Sequence, residues 1–183
     1  MQMLVDDLLE YSHVSFNPRE TEAIDLNDKV SLILVDLEMI AKEKNATVTV
    51  HPLPVINGYK RQIQQLFQNL IGNALKYSKP GEPSHIEISS KEVKGSDSGI
   101  NVAPGDQEKL FYLISVKDNG IGFDQSSAEK IFGMFHRLHG NNEYSGTGIG
   151  LAIAKKVVEN HHGYIKAEGK EGQGATFHLL LPM

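Results

Sequence analysis

No cysteine occurs anywhere in the 183 residues, so disulfides and thiolate metal sites are excluded, and the composition fits a reducing cytoplasm. No apolar run reaches the roughly 20 residues that a membrane-spanning helix needs. The first residues lack a secretory-signal pattern as well. Excess positive charge is also missing: 18 Lys and Arg stand against 23 Asp and Glu, giving a net charge of −5 and a pI near 5.9. Such a chain has no general attraction for polyanions, which argues against a nucleic-acid surface. The expectation is a cytoplasmic chain with no nucleic-acid partner and no direct membrane contact, a membrane-anchored parent remaining open. Its 40% hydrophobic content is enough for one compact domain plus a short stub. Internal repeats are absent.

What the chain does contain is three glycine- or asparagine-marked blocks in a fixed order: QNLIGNALKYS (68–78), DNGIGF (118–123) and SGTGIGLAIAKK (145–156). In the first, Ile63, Leu66, Phe67, Leu70, Ile71, Ala74 and Leu75 recur at helical spacing and predict an apolar stripe. Asn69, Asn73, Lys76 and Tyr77 then share the opposite face. An asparagine carbonyl is a hard oxygen donor suited to magnesium, and a lysine one turn away suits phosphate oxygens. Asparagines on a helix can equally sit in solvent.

In the second block, the apolar run Leu110 to Val116 predicts a buried strand ending at Asp118. A carboxylate there can accept from an exocyclic amine such as that of adenine, and Gly120 and Gly122 let backbone approach a ligand closely. Alone, this block also reads as an ordinary Asp-Gly turn. The third block, Gly146, Gly148 and Gly150, runs into a helix start whose unpaired amides favour phosphate; a plain glycine hinge reads the same way. A P-loop is excluded because no Gly-Lys-Ser/Thr triplet exists, and a dinucleotide fingerprint fails because its third glycine would fall on Leu151.

Periodicity predicts a strand at Ala23 to Leu26, a helix from Asn27 to about Asn45, a strand at Thr47 to His51 and then the asparagine helix. Strands follow at Ile86 to Val93 and Leu110 to Lys117, separated by GSDSGINVAPGDQ, whose length and composition predict a disordered insertion. Helices are expected near Ser127 to Phe132 and Gly150 to Asn160, then strands at Tyr164 to Glu168 and Ala175 to Leu181 joined by a glycine turn. This is an α/β (α+β) two-layer sandwich with a mixed, mostly antiparallel sheet and helices on one face. The segment from Phe123 to Gly146 carries Asn141, Asn142, Ser145 and glycines that oppose regular structure, as a mobile lid would. His136, His139, His161 and His162 lack the companions of a metal site and are expected to be solvated or partner-facing.

The order of asparagine helix, Asp-x-Gly-x-Gly, IFGMFHRLHG and Gly-x-Gly-x-Gly resembles the catalytic ATP-binding domain of sensor histidine kinases, which shares its fold with gyrase, heat-shock chaperone and mismatch-repair ATPases. The resemblance runs from about Glu22 to Pro182, and the lid wording is similar to kinases that accompany PAS or phytochrome-type sensors. It implies ATP and Mg2+ as ligands, with Asn73 holding the metal, Asn69 beside it, Lys76 on phosphate and Tyr77 flanking adenine. It further implies that Asp118 takes the adenine amine, that Gly120 and Gly122 shape the pocket floor, and that Phe132 and Phe135 anchor a lid spanning about 123–147. Arg137 would reach the terminal phosphate, and Gly146, Thr147, Gly148, Gly150 and Leu151 would line the phosphate side.

Related hydrolysing enzymes carry a glutamate four residues before the metal asparagine; here that place is Asn69. An amide cannot act as a general base near neutral pH, so water attack loses roughly 10²–10⁴ in rate. The resemblance then implies transfer to a histidine on an upstream dimerisation and phosphoacceptor hairpin, and onward to a response regulator receiver domain. Residues 1–16 resemble the end of that hairpin's second helix, with 17–183 as the catalytic domain. His13 is followed by Val14 and Ser15 rather than by an acidic residue, so the acceptor is expected to be missing. Two departures stand out: His162 replaces a glycine usual in the family, and Tyr59 and Lys60 replace an acidic residue before the asparagine helix, leaving its cap open. An ATPase, an anti-sigma-type serine kinase and a nucleotide-binding module without catalysis are the competing readings.

Overall fold

The computed structural model describes residues 8, 9, 11, 12, 14, 20–136 and 146–183. Arg137, His13, His139, Asn141, Asn142 and Ser145 lie outside the described residues.

Five strands make one sheet in the order β2-β4-β5-β7-β6: β2 (Thr47–Val50), β4 (His85–Lys94), β5 (Leu110–Asp118), β6 (Tyr164–Lys170) and β7 (Gly174–Pro182). Only β2 pairs in parallel, with β4; the remaining pairs are antiparallel. The predicted mixed sheet is therefore observed. Alternation along β5 assigns its two faces: Ile114 and Val116 enter the main core, while Phe111 and Leu113 join Leu180 in a smaller cluster on the other face. Asp118 shares the register of Ile114 and Val116, so period 2 turns it toward the helix layer.

That layer is built from α1 (Leu26–Asp36), α3 (Lys60–Lys76) and α4 (Gly150–Asn160). The buried face of α3 carries Ile63, Leu66, Phe67, Leu70, Ile71, Ala74 and Leu75, the stripe read from the sequence. Helix α1 starts one residue before the expected position, where Asp25 accepts the Asn27 N–H at 2.8 Å as a side-chain cap. The single helix expected to reach Asn45 is broken at Leu37, and α2 (Glu38–Glu43) follows with no buried residue. No glycine or proline between 27 and 44 signals that break.

Three expectations are corrected. A short strand β3 (Val55–Gly58), not foreseen, pairs antiparallel with β1 (Glu22–Asp25) as a separate two-stranded sheet. The helix expected at 127–132 is two short 3₁₀ turns, Gln125–Ser127 and Lys130–Phe132. The 95–107 excursion is ordered: Ile100 and Val102 pack on the Phe111, Leu113 and Leu180 cluster. Its backbone is tied to β6, where Tyr164 Oη accepts from Ala103 N–H at 3.1 Å and Lys166 Nζ donates to the Gly99 carbonyl at 3.0 Å. Apolar residues at alternate positions give the loop a face to bury, which outweighs its turn-rich composition.

At the other end of the helix layer, Val14 is buried, and its carbonyl accepts from Asn160 Nδ2 at 2.7 Å and from Gln62 Nε2 at 3.4 Å.

Candidate nucleotide site

Helix α3 delivers its polar residues to a cleft between the end of α3, the exit of β5 and the start of α4. A mostly apolar cavity of about 80 Å³ is lined by Asn73, Tyr77, Asp118, Gly122, Leu151 and Phe177, among others. A second cavity of about 210 Å³ shares Asn73, Tyr77 and Leu151 and adds Lys76, Gly146, Thr147, Gly148 and Gly150. The shared walls make one two-part cleft, apolar at one end and amide-rich at the other, the shape that a base joined to a phosphate chain requires.

Asp118 is the buried carboxylate of the apolar part, 8% exposed. Its Oδ1 accepts the Gly120 N–H at 2.8 Å and the Ala175 N–H at 3.2 Å. Both bonds fall on one oxygen, so Oδ2 is the acceptor available to a ligand amine. Burial pushes the carboxyl above its ordinary 3.8, and the Gly120 and Ala175 amides offset only part of that shift.

The backbone around Asp118 is tightly clasped. The Tyr77 carbonyl at the end of α3 accepts the Ile121 N–H at 2.9 Å, tying helix to loop. Gly122 has φ +65, and a Cβ there would stand 2.0 Å from the Lys170 carbonyl, so only glycine fits where the loop meets the β6–β7 turn.

On the phosphate side, Lys76 Nζ lies 4.6 Å from the Tyr77 ring centroid and would be 2.6 Å from a Cβ on Gly146, so the ammonium rests against the glycine loop. Helix α4 begins at Gly150 without a side-chain cap, and its first residues, Gly150 and Leu151, line this cavity, where a helix start favours phosphate. Asn69 sits beneath this start: a Cβ on Gly150 would be 3.2 Å from Asn69 Oδ1. Asn69 Nδ2 is buried without a hydrogen-bond partner. Among the described residues no group of three His, Asp or Glu could hold a metal. The donor set still fits magnesium, which keeps several waters and takes one or two protein oxygens plus substrate phosphates. Asn73, on both cavity walls, supplies such an oxygen.

Of the residues expected at the site, Asn73, Lys76, Tyr77, Asp118, Gly122, Gly146, Thr147, Gly148, Gly150 and Leu151 line the cleft. Gly120 and Asn69 stand directly behind it. Phe132 does not line it: the ring is buried against Phe177 at 6.4 Å, supporting the wall from outside. Phe135 is 51% exposed with φ +62 and likewise lies off the walls. Sequence reading missed Ile121, Phe123, Ile131, His136 and Phe177. His136, expected to be solvated, lines both cavities with its Nδ1 buried and unpartnered. The apolar residues carry no local signal, because any core position would look the same.

Residues 58–183 match the sequence profile described as histidine kinase-, DNA gyrase B- and HSP90-like ATPase. The chain belongs to this family. Among curated relatives, cyanobacterial phytochrome A of Nostoc sp. is 37% identical over 183 residues, covering 100% of this chain and 22% of that protein. Sensor histidine kinase WalK of Bacillus subtilis is 37% identical over 190 residues, covering 100% of this chain and 28% of the relative. This ATPase-family chain thus spans about a quarter or less of the length of the phytochromes it matches. Among solved structures, full-length ShkA in complex with AMPPNP aligns with a TM-score of 0.74 at 23% identity, covering 98% of this chain and 36% of that one. The catalytic domain of histidine kinase ThkA aligns at 0.67 and 24% identity, covering 89% of this chain and 95% of that one. At these identities the structural matches establish the fold.

Proposed function

We propose that the chain is the ATP-binding catalytic part of a sensor histidine kinase, which passes the γ-phosphate of ATP to a histidine on an upstream domain of its parent. The observation that carries this reading is the two-part cleft: one buried acceptor, Asp118, in its apolar half and Lys76 with an uncapped helix start in the other. Asp118 Oδ2 accepts from the adenine amino group, and Tyr77 flanks the base. Lys76 and the Gly146–Leu151 backbone hold phosphate oxygens. Asn73 would ligate Mg2+, which when bound neutralises phosphate charge. Arg137, outside the described residues, is assigned to the terminal phosphate by resemblance alone.

Transfer rather than hydrolysis is favoured because Asn69, not a carboxylate, stands behind the phosphate cavity, so no base at that position activates water. The acceptor imidazole nitrogen would attack the γ-phosphorus as its bond to the ADP oxygen breaks, leaving ADP and phosphohistidine. By resemblance, residues 1–16 are read as the end of the acceptor hairpin and 17–183 as the catalytic domain, on which the Val14 carbonyl rests through Gln62 and Asn160. A response regulator receiver domain would then take the phosphate from the parent.

Phosphate fate tests this directly. With γ-labelled ATP and magnesium, the full-length parent should gain acid-labile, base-stable label, while this chain alone gains none and releases little free phosphate. Rapid free phosphate from the fragment would instead mark an ATPase. A second test isolates the metal: Asn73→Ala should remove most of the magnesium dependence of ATP affinity in calorimetry, and undiminished dependence would put the ligand elsewhere.

A further inference from the structure

Helix α3 lacks a side-chain cap: Tyr59, its N-cap residue, offers no bond from its own side chain. The Tyr59 N–H instead donates to His161 Nε2 at 3.0 Å, from a residue 102 positions away at the end of α4. The other ring nitrogen, Nδ1, lies 2.7 Å from the Val157 carbonyl. A carbonyl only accepts and an amide N–H only donates, so the imidazole is neutral with its proton on Nδ1. The ring is 9% exposed, and a Cβ on Gly58 would stand 2.7 Å from Nε2, so glycine at 58 gives the ring its place. Tyr59 packs edge-on against it with ring centroids 5.2 Å apart. His161 was expected on the surface; it is a bridge between two helices.

These helices pack side by side and are tied at both ends. Asn69 lies under Gly150 at the nucleotide end, and at the far end His161 holds Tyr59 while Asn160 Nδ2 donates to Gln62 Oε1 at 3.1 Å. The phosphate cavity lies between the last turn of α3 and the first turn of α4. An axial slip at the far end therefore moves Asn73 and Lys76 relative to Gly148 and Gly150.

We infer that His161 is a positioning residue of the nucleotide site: by accepting the Tyr59 N–H it sets the register of α3 against α4 and so the spacing of the phosphate cavity. This rests on the ATP-binding reading of the cleft. Protonation would place a second donor on Nε2, facing the Tyr59 N–H, and would break the bridge. Burial already holds the imidazole below its ordinary 6.5; the Val157 carbonyl offsets part of that shift, and His162 beside it adds a smaller lowering. The other titratable side chains around it are Tyr59 on α3 and Tyr112 on β5, which share the lining of its cavity with Met183 at the chain's last position; Lys60 turns away to Glu22 at 3.9 Å. Because the native value is depressed, the bridge is complete above pH 6.5 and is lost as pH falls through the lowered value.

The test compares wild type, His161→Gln and His161→Leu in this chain, with magnesium ATP affinity measured by calorimetry from about pH 8 to about pH 5. Glutamine can place Oε1 where Nε2 stands and does not titrate, so at about pH 8 it should bind within about threefold of wild type. The ratio of wild-type to His161→Gln affinity should then hold level above pH 6.5 and fall toward acid as the bridge is lost, since weaker binding follows the fraction of competent molecules. Taking the ratio cancels titration of the nucleotide and of every group the two proteins share. The leucine variant, where folded, should bind about tenfold more weakly than wild type across the whole range. A folded leucine variant with wild-type affinity, or a glutamine variant as weak as leucine at about pH 8, overturns the inference. Wild type that binds no ATP at any pH overturns the nucleotide reading itself, and the inference with it.

Discussion

Asp118→Asn should weaken ATP binding by about ten- to more than a hundredfold while leaving the melting temperature unchanged or higher. The affinity loss follows from the bond removed: hydrogen bonds to charged acceptors are worth about 1.5–3 kcal/mol. Asparagine can also set an NH2 donor against the adenine amine. The stability half has the opposite sign for a stated reason. Burial raises the carboxyl above its ordinary 3.8, so the folded chain holds this proton more tightly than the unfolded one. Stability from this group is therefore greatest in acid and falls as pH rises through the raised value, leaving an ionised Asp118 as a net cost at neutral pH. The asparagine carbonyl can keep both amide bonds, from Gly120 and Ala175, without that charge. Calorimetric titration and a thermal melt at pH 7 read the two halves separately. Unchanged affinity would remove Asp118 from the base pocket, and a large drop in melting temperature would make its role structural.

Gly174→Ala should be the more damaging change to the fold. Gly174 has φ +104, and a Cβ there would stand 2.0 Å from the Asp118 carbonyl oxygen and 2.9 Å from Asn119 Cα. Neither atom belongs to a side chain that could swing away. The strand end must shift, which disturbs the Ala175 amide bond to Asp118. The expected cost is about 3 kcal/mol or more, in the range of severe backbone and steric lesions, with ATP affinity lost alongside it. Gly172→Ala is the control: its φ of +72 carries the same left-handed penalty, but nothing lies within 4 Å of the added carbon. It should cost only about 1–2 kcal/mol. Urea midpoints of the two variants give the difference, and equal midpoints would mean that the β6–β7 turn yields to the added carbon.

The two variants also mark where sequence reading stops. Asp118 was legible because an apolar run ending in Asp-x-Gly-x-Gly is a local pattern. Gly174 read only as part of a glycine turn, since the atom it presses on is 56 residues earlier and belongs to the backbone. The excursion at 95–107 failed in the same way: its polar composition is local, whereas the β6 contacts that order it are not. Strand β3 exists because the distant β1 pairs with it, and its own residues do not name that partner. His161 was invisible as a bridge because nothing near it announces Tyr59.

By itself the sequence determined the stripe of α3, the order of the three blocks, the strand ending at Asp118 and through them the family. Those are features of single elements, written in periods of 2 and 3.6 that survive without knowing how elements pack. Only the tertiary structure decided which residues share the cleft. It brought Phe177 and Ala175 beside Asp118, set Phe132 behind the wall rather than in it, and joined the far ends of α3 and α4 through the His161 imidazole and the Asn160–Gln62 bond. Such contacts depend on how layers stack and strands pair across the chain, and side-chain spacing along one segment carries no record of them.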